Sequence, residues 1–122
     1  MNTDKIRIIG KNIEDSLKKY GISVKVQYLN NNKVIALQDN DIIYLWLRLY
    51  ENGDKFNADI STIELAENLR RKGIFNTLCY RLYKCKYIDR LRITGVCSPE
   101  MQGWCFKHKL KEENPMDYLV KF

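Results

Sequence analysis

Two carboxylates, a run of three cations with a glycine, and one thiol are the groups in this chain whose types and spacing could do chemistry. Asp59 and Glu64 lie five residues apart on a β-branched, apolar stretch ending at Leu65. Either could take a proton from an amine, directly or through a water. Their separation is odd, so a regular strand turns them to opposite faces and at most one lines a given pocket. Arg70-Arg71-Lys72-Gly73 follows at once and opens an amphipathic run that includes Ile74, Phe75 and Asn76. A strand, a basic turn and a helix in that order present free N–H groups and a helix N-terminus to an anion. Gly73 removes the side chain where backbone and phosphate would be closest. Arginine can hold phosphate bidentately. Cations beside a helix N-terminus oppose its dipole, a misplacement that an anionic ligand relieves. Cys105 on a later helix could donate a proton. Each of these groups also has a plain structural reading: a solvated or ion-paired carboxylate, an ordinary charged helix start, a core cysteine.

The remaining reactive residues are sparse. Cys79, Cys85, Cys97 and Cys105 include no Cys-x-x-Cys pair, and His108 is the only histidine. Structural zinc wants four closely spaced ligands, so no metal is expected. The cysteines read as reduced, mostly buried thiols. His108 shares a helical face with Met101 and Trp104 and reads as packed against them.

Elements must position these groups, and the composition allows them one domain over residues 1–122. A chain of this length buries roughly two-thirds of its unfolded surface. Its 45% hydrophobic and 30% charged content excludes a disordered chain. The apolar runs fall far short of the ~20 residues that span a bilayer. Met1 to Arg7 lacks a signal-peptide core, so a soluble, cytoplasmic protein is expected. The net charge of +6 is unevenly spread. Residues 70–92 hold eight cations and one acid, so that window carries +7 and the rest −1. A local basic field suits nucleic acid or the phosphates of a nucleotide cofactor.

Lys5–Ile9 reads as a short strand or the lead into a helix, with Asn12 as N-cap and Gly21 as stop. Ile22, Val24, Val26 and Tyr28 alternate as a first strand. Asn30 to Asn32 and Asp39-Asn40 are turns on either side of a strand at Val34–Leu37. Asp41–Tyr50 is the strongest strand. Ile43, Leu45, Leu47 and Leu49 line one face, and Tyr44, Trp46 and Tyr50 the other, which suggests cover on both sides. After a turn at Glu51–Asp54 a fourth strand spans Phe56–Leu65. Helical spacing predicts a helix over Leu69–Tyr87, then a strand over Leu91–Cys97. Ser98-Pro99-Glu100 starts a helix to Leu110. Lys111–Pro115 reads as a polar connection and Met116–Phe122 as a last strand. The order is α-β-β-β-β-α-β-α-β, an α/β (α+β) fold with a mixed, mostly antiparallel sheet and helices on both faces.

Leu65-Ala-Glu-Asn-Leu-Arg-Arg-Lys-Gly-Ile-Phe75 resembles the Arg/Gln-x-x-Gly-x-Gly/Ala signature of the GNAT family, the Gcn5-related N-acetyltransferases, with Arg70, Gly73 and Phe75 at its fixed positions. Val96 to Ser98 and Met101 to Leu110 resemble the family's later strand and helix. The resemblance implies acetyl-CoA as co-substrate, with its pyrophosphate on the turn formed by Arg70, Arg71, Lys72, Gly73, Ile74, Phe75 and Asn76. It implies that strands four and five splay apart, and that the pantetheine arm lies between them on backbone groups of Ile63 and Leu65, with Ser98 nearby. The chain departs from the family in three places. Phe75 replaces a small residue and is expected to turn toward the core. Cys105 stands where members often carry an acid tyrosine. One strand rather than two follows the last helix. The expected activity is acetyl transfer to a primary amine, with a protein lysine or N-terminus as acceptor. A non-catalytic module of the same shape, binding protein or nucleic acid, is the alternative.

Overall fold

The computed structural model describes residues 3–39, 41–96 and 98–122. The first helix, α1 (Thr3–Lys18), is continuous because Ile6, Ile9, Ile13 and Leu17 form one buried stripe. This corrects the split at Asn12: that residue is inside the helix, and its side-chain amide donates to Ile8 O at 3.1 Å. Gly21 (φ +77°) ends the turn that follows, with Ile22 N–H returning to Leu17 O.

Four strands follow: β1 (Gln27–Leu29), β2 (Val34–Asp39), β3 (Ile43–Asn52) and β4 (Lys55–Leu65). Only the end of the expected first strand pairs. Ile22, Val24 and Val26 do face the core, but Val26 N–H goes to Glu14 Oε2 of α1 at 2.9 Å instead of to a strand. Asn30, Asn31 and Asn32 all take left-handed φ, as their turn requires. The Asp39-Asn40 turn lies partly outside the described residues, because Asn40 is not among them.

A short 3₁₀ turn (Glu67–Leu69) precedes α2 (Ile74–Lys84). The helix is shorter at both ends than the expected Leu69–Tyr87. Arg71 (φ +62°) and Gly73 (φ +79°) break the backbone before it, and extended Cys85 ends it. Tyr87 O then accepts from Phe56 N–H at 2.8 Å, which draws the next strand, β5 (Ile88–Ile93), earlier than Leu91–Cys97. Cys97 lies outside the described residues. The expected cap of α3 (Pro99–Lys107) is present: Ser98 Oγ accepts from Met101 N–H at 3.1 Å. The helix stops three residues before Leu110.

The chain ends on two strands, β6 (Lys111–Asn114) and β7 (Asp117–Leu119), not one. The sequence of Lys111–Pro115 reads as a connection because β6 is a polar outer edge, which needs backbone pairing but no apolar face.

The seven strands form one sheet in the order β1-β2-β3-β4-β5-β7-β6. Every pair is antiparallel except β4 with β5, the pair joined through α2. The molecule is therefore mixed α/β with a mostly antiparallel sheet and three helices. Ile43, Leu45, Leu47 and Leu49 pair with Leu65, Ile63, Ile60 and Ala58, and these join the α1 and α2 stripes in one core. α1 packs on α2, and α3 meets α2 through Phe75–Trp104 and Asn76–His108.

The other face carries Tyr44, Trp46, Arg48, Tyr50, Asn57, Asp59, Glu64, Arg90 and Arg92. Among the described residues no hydrogen bond, ion pair or ring contact joins a helix to it. The expectation of helices on both faces is corrected accordingly. Amphipathic aromatics tolerate half-burial, and Tyr50 is 50% exposed. Among the described residues no helix is long and apolar enough to cross a membrane.

Candidate functional site: an open strand edge beside a helix N-terminus

One residue reorganises β4. Trp46 pairs with Thr62 and Leu47 with Ile60, so Ser61 is the extra residue of a β-bulge. The Ser61 hydroxyl donates to Trp46 O at 3.3 Å. Counted through the bulge, Asp59 stands opposite Arg48 and Glu64 opposite Tyr44, so the two carboxylates share the helix-free face. The bulge thus overturns the expectation that a regular strand turns them to opposite faces. They remain about 13 Å apart along the strand and cannot serve one reaction centre together.

The bulge also decides what the strand's edge offers. Phe56 N–H donates to Tyr87 O, and Ile60 O accepts from Thr94 N–H at 3.0 Å, so these residues turn their backbone toward β5. Beyond the bulge the same side passes to Ile63 and Leu65, while Ala66 N–H points back to Ile42 O in the β3 direction. The β4–β5 ladder ends at the Ile60–Ile93 pair, although β4 runs on to Leu65. Backbone groups of Ile63 and Leu65 therefore face a gap rather than a strand.

That gap is the bottom of a cleft of about 800 Å³. Ile63, Glu64 and Leu65 form one wall; Arg70, Arg71 and Phe75 form the second; Ser98, Pro99, Glu100, Met101 and Trp104 form the third. A smaller chamber of about 260 Å³ continues from it between Ile60–Glu64 and Ile93–Val96. At α2 the first helical bond runs from Thr77 N–H to Gly73 O, so the N–H groups of Ile74, Phe75 and Asn76 have no partner inside the helix. Gly73 adopts a left-handed φ as N-cap and supplies no capping side chain.

Of the residues expected to hold a cofactor, Ile63, Leu65, Arg70, Arg71, Phe75 and Ser98 line this cleft. Lys72 and Gly73 lie exposed on the turn, Ile74 points into the core, and Asn76 meets His108 Nε2 at 3.0 Å. Phe75 is half-buried, packed against the margin of the core as expected, but it also lines the cleft, edge-on to Trp104 with ring centroids 4.8 Å apart. Ile74, one step round the helix, enters the core itself. Ser98 Oγ is committed to its helix cap. Arg70 Nε donates to Leu65 O at 3.0 Å.

The three residues expected to do chemistry separate. Glu64 is exposed at the cleft. Asp59 is 6% exposed and bound on both oxygens by Arg92, with Nε–Oδ1 3.0 Å and Nη2–Oδ2 2.9 Å. The same contact raises the Arg92 pKa. Cys105 is 1% exposed, and burial pushes its thiol up to about 11; it does not line the cleft. Pro99, Glu100, Met101 and Trp104 were missed as cleft residues. The Ser98-Pro99-Glu100 helix start was visible, but nothing local shows that its first turns oppose β4.

The fold divides the +7 window. Arg70 and Arg71 line the cleft, Lys72 lies exposed on the turn beside it, Lys84 leans on Tyr80 and Tyr83, and Arg90 and Arg92 lie on the opposite face, paired with Glu113 and Asp59. No group of three or more metal-ligating side chains occurs among the described residues. Neither a scan against protein-family models nor a search of curated proteins returns a match to this chain.

Proposed function

We propose that the chain is an acetyl-CoA-dependent N-acetyltransferase of the GNAT kind, moving an acetyl group to a primary amine. One observation carries the reading: a strand edge left open at Ile63 and Leu65 shares a cleft with the unbonded N-terminus of α2. An arm built of amides can complete such an edge as an extra strand would. The α2 N–H groups and Arg71 suit the pyrophosphate.

In this reading Glu64 takes a proton from the amine, directly or through water. Edge N–H groups near Leu65 donate to the oxygen that gains charge as the amine nitrogen bonds the acetyl carbon. The C–S bond then breaks, and the thiolate takes its proton from water, since Cys105 is enclosed in the core. The amine arrives from the helix-free face beside Tyr44 and Glu64, whose openness suits a protein lysine or N-terminus. The non-catalytic alternative draws on the missing acid tyrosine, on the basic window and on a single strand after the last helix. The fold divides the window and places two strands after α3, which leaves the missing tyrosine as its support. Transfer activity decides between the two readings.

A thermal shift tests the reading. Ligand at 100 times its dissociation constant stabilises by about 2.7 kcal/mol, or several degrees in Tm. Gly73→Glu should abolish the shift, because it sets a carboxylate at the anion site. A Cβ at Gly73 meets only Tyr20 Oη at 3.6 Å, so room exists for it, and Gly73→Asn controls for the strained φ. No shift with the wild type, or equal shifts in wild type and Gly73→Glu, would end the proposal. Incubation with a lysine peptide and mass spectrometry then reads transfer itself.

A further inference from the structure

The cleft holds one contact that its proposed ligand has to undo. Arg70 follows the 3₁₀ turn, and its side chain folds back so that Nε donates to Leu65 O at 3.0 Å. Its Nη1 lies 3.8 Å from Glu100 Oε1 on the opposite wall. One side chain thus caps the open edge of β4 and reaches across to the first turn of α3. Glu100 is well placed there for that helix's dipole. It is badly placed for a phosphate, since it sets a like charge on the cleft that α2 opens onto.

From this we infer that Arg70 is a latch: in the free protein it is held by Leu65 O and Glu100, and an anionic ligand at the α2 N-terminus draws it off both. The inference rests on the proposed function and adds a regulation of that site. Release has two consequences. Leu65 O becomes available to an incoming amide, so filling the anion site prepares the edge for the arm. Glu100 loses its counter-ion, which opposes binding and sets a ceiling on affinity. Arg71 is the constant member of the pair: it lines the same cleft and makes no ion pair among the described residues.

The test is a double-mutant cycle on coenzyme A binding, measured by titration calorimetry on the full chain, with Tm confirming that each variant folds. Glu100→Gln should tighten binding about two- to fivefold, the range of an exposed ion pair. Arg70→Gln should weaken it. In the Arg70→Gln background, Glu100→Gln should add less than it does in the wild type, because the latch it loosens is already gone. Simple repulsion between Glu100 and phosphate predicts the reverse, an equal or larger gain once Arg70 is removed, and that result overturns the latch. So does an unchanged or weaker affinity for Glu100→Gln alone. A wild type that does not bind coenzyme A at all sinks the proposed function, and the latch with it; a wild type that binds while the cycle is additive sinks only the latch.

Discussion

The two candidate bases differ in what holds them. Asp59 has both oxygens occupied by the Arg92 guanidinium and is nearly buried, whereas Glu64 stands free at the cleft. A carboxylate in a bidentate pair has no spare lone pair in the right direction for an incoming amine, so its role is structural. Opposite outcomes follow for the two amide variants. Glu64→Gln should lower acetyl transfer about a hundredfold or more with coenzyme A affinity and Tm unchanged. Asp59→Asn should cost about 2 kcal/mol of stability, because it leaves the Arg92 charge partly buried without its partner, and should spare turnover. Steady-state kinetics beside denaturant unfolding reads both. At this scale the sequence showed which residues could act. It could not show which were free, because Arg92 reaches Asp59 from 33 positions away.

Elements carry the same lesson through their ends and irregularities. The second half of the α1 stripe, the stripe of α2, the inward set of β3 and the Ser98 cap were legible, since each is a local pattern of residue type and spacing. The bulge at Ser61 was not. Nothing in Ile-Ser-Thr-Ile marks one residue as surplus, and the surplus exists only against the β3 register. The polar strand β6 was missed for a related reason, because an edge strand is defined by its neighbour. Gly10 shows a helix yielding to its packing. Glycine inside a helix costs about 1 kcal/mol against alanine, yet a Cβ there would stand 2.2 Å from Tyr28 Oη. Gly10→Ala should therefore destabilise by about 1–3 kcal/mol despite its better helix propensity, and Tyr28→Phe should relieve much of that loss in the double variant. Thermal unfolding of the three variants checks this.

At the scale of the molecule, α1, α2 and α3 gather on one face and the thiols of Cys79, Cys85 and Cys105 are buried beneath them. Desolvation raises the pKa of Cys79 and Cys105, the latter to about 11 against an ordinary 9.0. A thiol whose folded pKa is raised adds stability that is fully present below about 9 and is lost as pH climbs through about 11, because the unfolded chain ionises first. Tm should accordingly fall between pH 9 and 11, and Cys105→Ala should flatten that fall. At pH 8 a thiol reagent should label both cysteines only in denaturant.

What the sequence determined by itself was the elements up to the last helix, their order, and the basic glycine turn behind a strand. These rest on contacts between near neighbours, which composition and periodicity encode. The tertiary structure decided what that turn opens onto. The bulge, the end of the β4–β5 ladder and the first turns of α3 meet at one cleft, and the parts of that cleft lie far apart in the chain. Register and proximity between distant segments follow from packing the whole core at once, and no stretch of sequence holds that information alone.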